Sequence, residues 1–171
     1  VPDLPVTGGN ILLALSAQGY APDKLTDALV HNIASKQSSD GSWIGWVNRP
    51  PLESGDIQAT ALGLRSLQLY GMPGRKKEFE AKIAKARAWL LQADPRTTEE
   101  QRMRLLGLSW SGAERETKAA ARSLIMAQRP DGGWAQLPTL PSDAYATGSV
   151  LTALYETGRL TGADADPALY A

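Results

Sequence analysis

The 171-residue chain has no cysteine, one histidine and one phenylalanine. Without cysteine it forms no disulfide, carries no thiolate nucleophile and holds no metal through sulfur. His31 is the single imidazole, so the usual zinc ligand sets of three or four Cys and His side chains are out of reach. Excess charge is missing as well. Eighteen basic residues balance eighteen acidic ones, which removes the electrostatic footprint of a nucleic-acid protein. No apolar run approaches the about 20 residues of a membrane-spanning helix. Alternating apolar runs long enough for a strand are absent too. None of these absences assigns a compartment.

What is present is a repetition. Gln37-Ser38-Ser39-Asp40-Gly41-Ser42-Trp43 returns as Gln128-Arg129-Pro130-Asp131-Gly132-Gly133-Trp134, 91 residues later. The run that follows, Asp56-Ile57-Gln58-Ala59-Thr60-Ala61-Leu62, aligns with Asp143-Ala144-Tyr145-Ala146-Thr147-Gly148-Ser149 at an offset of 87. Gly71 then matches Gly158. A shorter unit lies between them. Ala88–Gln92 reads like the approach to the Gln–Trp loop, and Thr97 falls where Asp56 and Asp143 fall. Leu105, Leu108 and Gly112 follow in register. A half unit, with Leu12, Leu15 and Gly19, comes first. Self-similarity of this kind marks an array of supersecondary units.

Apolar residues recur with a 3.6-residue period around Leu25–Ile33 and Phe79–Leu90, the signature of amphipathic helices. The expectation is an all-α chain with helices over about 7–19, 23–37, 56–71, 77–92, 97–111, 114–128 and 143–158. These make one domain of about three and a half two-helix repeats: a half unit 7–19, units 23–71, 77–112 and 114–158, and a tail 159–171. A chain of this length buries about 70% of its unfolded surface. The repeat phase starts mid-unit, and Asp166-Pro167 is a helix-start signal. A piece of a longer protein is therefore expected.

The loop residues have a mechanical reading. Gln37 and Gln128 follow helix ends whose carbonyls lack partners, and an amide can donate and accept at once. They are expected to reach backbone groups at a neighbouring helix terminus. Gly41 and Gly132 permit the turn that lets Trp43 and Trp134 bury against the amides. Together the six residues form a clamp between hairpins. Asp56, Thr97 and Asp143 read as helix N-caps, and Thr97-Thr98-Glu99-Glu100 as a capping box.

The repeated Gln-x-x-x-Gly-x-Trp resembles the QW motif of the squalene–hopene and oxidosqualene cyclases, within the superfamily of terpenoid cyclases and protein prenyltransferases. The resemblance covers residues 23–158. It implies a partial α/α toroid, in which the second helix of each hairpin faces a central cavity. The cyclases that protonate an alkene or epoxide carry Asp-x-Asp-Asp-Thr-Ala at the start of such a helix. Here Gln58 and Ala59, and in the later unit Tyr145 and Ala146, stand in place of the central acids. Neither Gln nor Ala supplies the neutral, poised carboxylic acid that this chemistry needs. Asp56 is the remaining candidate acid. The zinc set of the prenyltransferases is missing, so no metal and no cofactor is expected.

The resemblance makes Gln58, Tyr145, Trp46 and Trp110 candidates for contact with an apolar or isoprenoid-like ligand, the aromatic ones by cation–π contact with a developing cation. Tyr20 belongs to the same aromatic set. The expected function is a repeat domain, non-catalytic by itself, that binds such a ligand or a protein partner on its second helices. One alternative is a fragment of an active terpene cyclase whose acid lies outside this chain. Another is a purely architectural docking repeat. Arg75–Arg87, basic with Phe79 and Ile83 opposite, is a candidate for peripheral membrane contact or a solvated outer face. The uncharged runs of residues 9–20 and 143–158 are candidates for self-association through open repeat edges.

Overall fold

The computed structural model describes residues 3–46, 48–49, 51 and 53–159. The Asp166-Pro167 helix start and the tail beyond Arg159 lie outside the described residues. The described chain is all-α. Its helices are α1 (Leu4–Ala17), α2 (Lys24–Ser35), α3 (Asp56–Tyr70), α4 (Lys76–Gln92), α5 (Thr98–Trp110), α6 (Glu114–Met126) and α7 (Ala144–Glu156). The only extended structure among the described residues is a two-residue antiparallel ribbon, Asn48–Arg49 paired with Glu53–Ser54.

Local chemistry sets the ends of these helices. Asp23 caps α2 in a reciprocal box, accepting the Leu25 and Thr26 N–H groups while Thr26 Oγ1 accepts the Asp23 N–H. Thr97 and Glu100 form the same box at α5. Left-handed glycines follow α1, α5 and α7, with Gly19, Gly112 and Gly158 at φ of 69°, 74° and 71°. Gly71 departs from its sequence counterpart Gly158. It is extended, at φ −62° and ψ 126°, because the chain must run straight into the Pro73–Arg75 turn that opens α4. α1 starts at Leu4 rather than residue 7. Asp3 takes the N-cap position, and Pro5 tolerates the first turn, where no N–H partner is needed.

The chain forms two compact units, Val1–Ala93 and Asp94–Ala171; the boundary falls inside the expected middle repeat, 77–112. In the first unit α3 is central and packs on α1, α2 and α4. Its buried residues run almost unbroken from Ile57 to Leu67, as an enclosed helix requires. α1 and α3 lie parallel. Gly9 meets Leu62 so closely that a Cβ there would stand 2.8 Å from the Leu62 Cβ. At the far end the Tyr70 hydroxyl donates to the Tyr20 carbonyl at 2.8 Å. In the second unit α5 packs on α6 and α7 around Leu105, Leu108, Leu124, Val150 and Leu154, all with 0% exposure.

Candidate functional site

The two Gln–Trp loops close through the same bonds. In the first, the Ser38 N–H donates to the Ser42 carbonyl (2.8 Å) and the Gly41 N–H to the Ser38 carbonyl (3.0 Å). In the second, the Arg129 N–H donates to Gly133 (3.0 Å) and the Gly132 N–H to Arg129 (2.8 Å). Gly41 and Gly132 hold φ of 99° and 80°, which only glycine adopts without strain. Asp40 Oδ1 accepts the Ser42 N–H, and Asp131 Oδ1 the Gly133 N–H, both at 3.0 Å. These backbone donors favour the ionised form and hold each carboxyl below its usual range.

Each tryptophan joins two helices. The Trp43 indole donates to the Ile33 carbonyl at 2.6 Å, and the Trp134 indole to Leu124 at 2.7 Å. Both carbonyls lie in the last turn of the preceding helix. The Trp main-chain N–H then donates forward, to Thr60 Oγ1 on α3 (2.9 Å) or Thr147 Oγ1 on α7 (3.0 Å). Both rings are buried, at 0% and 1% exposure. The threonines in the repeated Asp-x-x-Ala-Thr run thus receive the loop. The Trp43 ring also demands Gly63, where a Cβ would stand 2.8 Å from the Trp43 Cδ2.

The glutamines differ from the expected clamp. Indoles, not amides, meet the helix termini. Gln37 Nε2 donates to the carbonyl of Gly41 in its own loop and to that of Lys82 midway along α4, both at 2.9 Å. It reaches the helix flank because Gly41 lies against α4, where an added Cβ would stand 2.5 Å from the Lys85 carbonyl oxygen. Gln128 Nε2 donates to Gly132 at 2.9 Å. No described atom lies within 4 Å of a Cβ built on Gly132.

At the helix starts, Thr97 accepts the Glu100 N–H (3.1 Å) and Asp143 the Ala146 N–H (2.9 Å). Asp56 is not an N-cap. Gly55, at φ 86°, holds that position, and Asp56 is the first residue of α3. The ribbon ahead of α3 enters through this left-handed glycine, so the helix begins one residue further from Thr60 than α7 does from Thr147. The Asp56 carboxylate turns back to accept the Gly45 N–H at 2.8 Å, and the residue is exposed. Gln58, two residues on, is buried at 4% exposure. Asp3 was missed by sequence reasoning that opened the first helix at residue 7. It is buried at 2% exposure, at the same end of the parallel α1/α3 pair as Asp56 and Gln58. The Asp–x–Pro start signal could have found it.

In the second unit the Tyr145 hydroxyl lies 3.5 Å from Glu99 Oε2, whose other partner is Arg102 Nε at 2.9 Å. Glu99 is buried. Partial burial, then the Glu99 charge, pushes the Tyr145 phenol up. Burial works against the Arg102 charge, and the bond to Glu99 outweighs it. Glu99 and Arg102 therefore fill the surroundings of Tyr145, a feature that the sequence alone showed only as part of a capping box. Trp110 is the last residue of α5, about 16 Å along the helix from Glu99, so it does not join Tyr145. Gln58 and Trp46 belong to the first unit. Trp46 is 78% exposed beside the ribbon. Tyr20 donates to Asp23 Oδ2 at 2.7 Å, which ties it to the α2 cap.

α7 carries a further surface. Ala144, Gly148, Leu151 and Tyr155 are exposed on one face at helical spacing, with Leu151 at 37% and Tyr155 at 67%. No charged side chain interrupts this stripe. His31 contacts Arg75, which pairs with Glu78. The described residues hold no cluster of three or more His, Cys, Asp or Glu able to bind a metal. Compared with protein-family models, curated proteins and solved structures, the chain has no match.

Proposed function

We propose that this chain is a partial α/α toroid of the kind its Gln–Trp loops resemble, non-catalytic by itself, holding an apolar or isoprenoid-like molecule on the second helices of its hairpins. The observation that carries the reading is the α7 stripe of Ala144, Gly148, Leu151 and Tyr155, exposed and uncharged. Small residues beside Leu and Tyr leave a shallow apolar bed that a flat or branched hydrocarbon fits. The duplicated loop, bound alike to α3 and α7, supports the hairpin repeat. Gln58 and Ala59, Tyr145 and Ala146 at the acid positions support binding without protonation. One observation favours the architectural alternative. The Glu99–Arg102 pair fills the start of α5 with charge, as the polar, filled inner face of an architectural repeat would.

The test is direct. The chain is incubated with squalene, re-isolated and analysed by native mass spectrometry, and the lipid extract is searched for cyclised products. One bound lipid per chain, lost in Leu151→Asp, with no cyclised product, is the expected result. No bound lipid would leave the architectural alternative. Turnover that disappears in Asp56→Asn would make Asp56 a general acid.

A further inference from the structure

α3 and α4 are joined through the short Pro73–Arg75 turn, and beside that turn lies a cavity of about 330 Å³. Among the described residues its floor is apolar. Leu67 of α3 and Phe79 of α4 line it, buried at 2% and 3% exposure, with Ile83 one turn beyond Phe79. Gly71 borders it too, and a Cβ there would stand 2.9 Å from the Phe79 Cδ2. The bare backbone thus lets the ring reach the floor. Arg75 lies over the Phe79 ring, 5.3 Å from its centroid. Glu78 in turn holds Arg75 through bonds of 2.8 and 2.7 Å. The floor is therefore fixed before a ligand arrives.

The rim carries one charge of each sign. Lys76 and Glu80 both line the cavity. Their Nζ and Oε1 stand 3.9 Å apart, and both side chains are largely exposed. The pair serves α4 poorly. Lys76 is the first residue of the helix, where a cation opposes the macrodipole, and Lys before Glu at i, i+4 is the weaker order. A solvated pair of this kind adds little to stability, so it opens easily.

We propose that the cavity binds a free α-amino acid with a large apolar side chain. The Lys76 ammonium meets the α-carboxylate, the Glu80 carboxylate accepts the α-ammonium, and the side chain rests on Leu67, Phe79 and Ile83. Both ligand charges sit on one carbon, which matches the closeness of Lys76 to Glu80. A simple anion would set its charge against Glu80, and a simple cation against Lys76. The volume is at the small end for ligand pockets, as one such side chain requires. The proposal does not depend on the ligand reading above, since it uses the first unit and not the α7 stripe of the second.

The test titrates the full chain, isotope-labelled, with L-phenylalanine. Saturable amide shifts centred on residues 67–83 are expected, with a Kd on the order of millimolar for so small a ligand. Lys76→Ala and Glu80→Gln change only exposed side chains, and each should weaken binding about fivefold, the worth of one exposed ion pair. Hydrocinnamate, which lacks the ammonium, and phenethylamine, which lacks the carboxylate, should each bind weaker by a similar factor. Glycine, without the side chain, should give no saturable shift. The proposal is overturned if L-phenylalanine gives none either, or if hydrocinnamate, phenethylamine or glycine binds as tightly. Unaltered affinity in both Lys76→Ala and Glu80→Gln would overturn it too.

Discussion

Loops 37–43 and 128–134 share a sequence pattern and a hydrogen-bond pattern, yet they sit in different surroundings. The first is pressed between α2, α3 and the flank of α4, with Gly41 buried. Among the described residues, the second is fastened to α6, to α7 and to Leu137, Pro138 and Ser142 of its own connection, with Gly132 exposed. Because the internal geometry survives this difference, the loop is a self-closed turn. It does not owe its shape to the helix it seats. What the neighbour changes is the penalty for altering a residue.

The largest effect should be common to both loops. Trp43→Ala and Trp134→Ala each remove a fully buried ring and its bond to a helix-end carbonyl. Each should lose about 3–5 kcal/mol of stability, measured by denaturant unfolding. A melting temperature left unchanged by either variant would break the equivalence.

The next effect should separate the loops. Gly41→Ala forces a Cβ onto the Lys85 backbone and into a left-handed conformation. It should destabilise by about 3 kcal/mol or more, strain and overpacking together. Gly132→Ala meets open space and bears only the left-handed penalty, about 1 kcal/mol. Equal losses in the two variants would show that α4 does not press on the first loop.

The smallest effect is pH-dependent. Asp40 and Asp131 have folded-state pKa values depressed first by the N–H groups of Ser42 and Gly133. A depressed carboxyl stabilises the fold above its unfolded pKa, near about 4. That contribution is lost as pH falls through the folded value. The denaturant midpoint should therefore decline between pH 5 and pH 2 and be flat above it, on the order of the usual carboxylate range. The decline should shrink in Asp40→Asn and in Asp131→Asn. A midpoint equally acid-sensitive in both variants would remove these carboxylates from the account.

Much of this was legible. Seven helices were readable because amphipathic period and caps are local properties: Thr97 with Glu100, and Asp143 before Ala144, announce helix starts within four residues. The buried tryptophans were readable because the loop is written twice. The site was less so. Tyr145 could be singled out by its position one residue past the start of a helix, but its neighbour Glu99 lies 46 residues away. Nothing local marks that a residue of a capping-box run will be buried beside Arg102. Gln37 was misread for the same reason, since its partner Lys82 is 45 residues off. Asp56 was misread because a left-handed Gly55 displaces it by one position, and sequence does not report φ.

By itself the sequence determined the helices, the repeat, the turn glycines and the absence of a thiol. Each depends on residue type and short spacing, which the backbone reads directly. Only the tertiary structure decided that indoles rather than amides meet the helix ends, that Gly41 is covered and Gly132 bare, and that Asp3 is buried. Those outcomes depend on which surfaces meet, and a pair of segments identical in local chemistry carries no record of whether a helix lies across them.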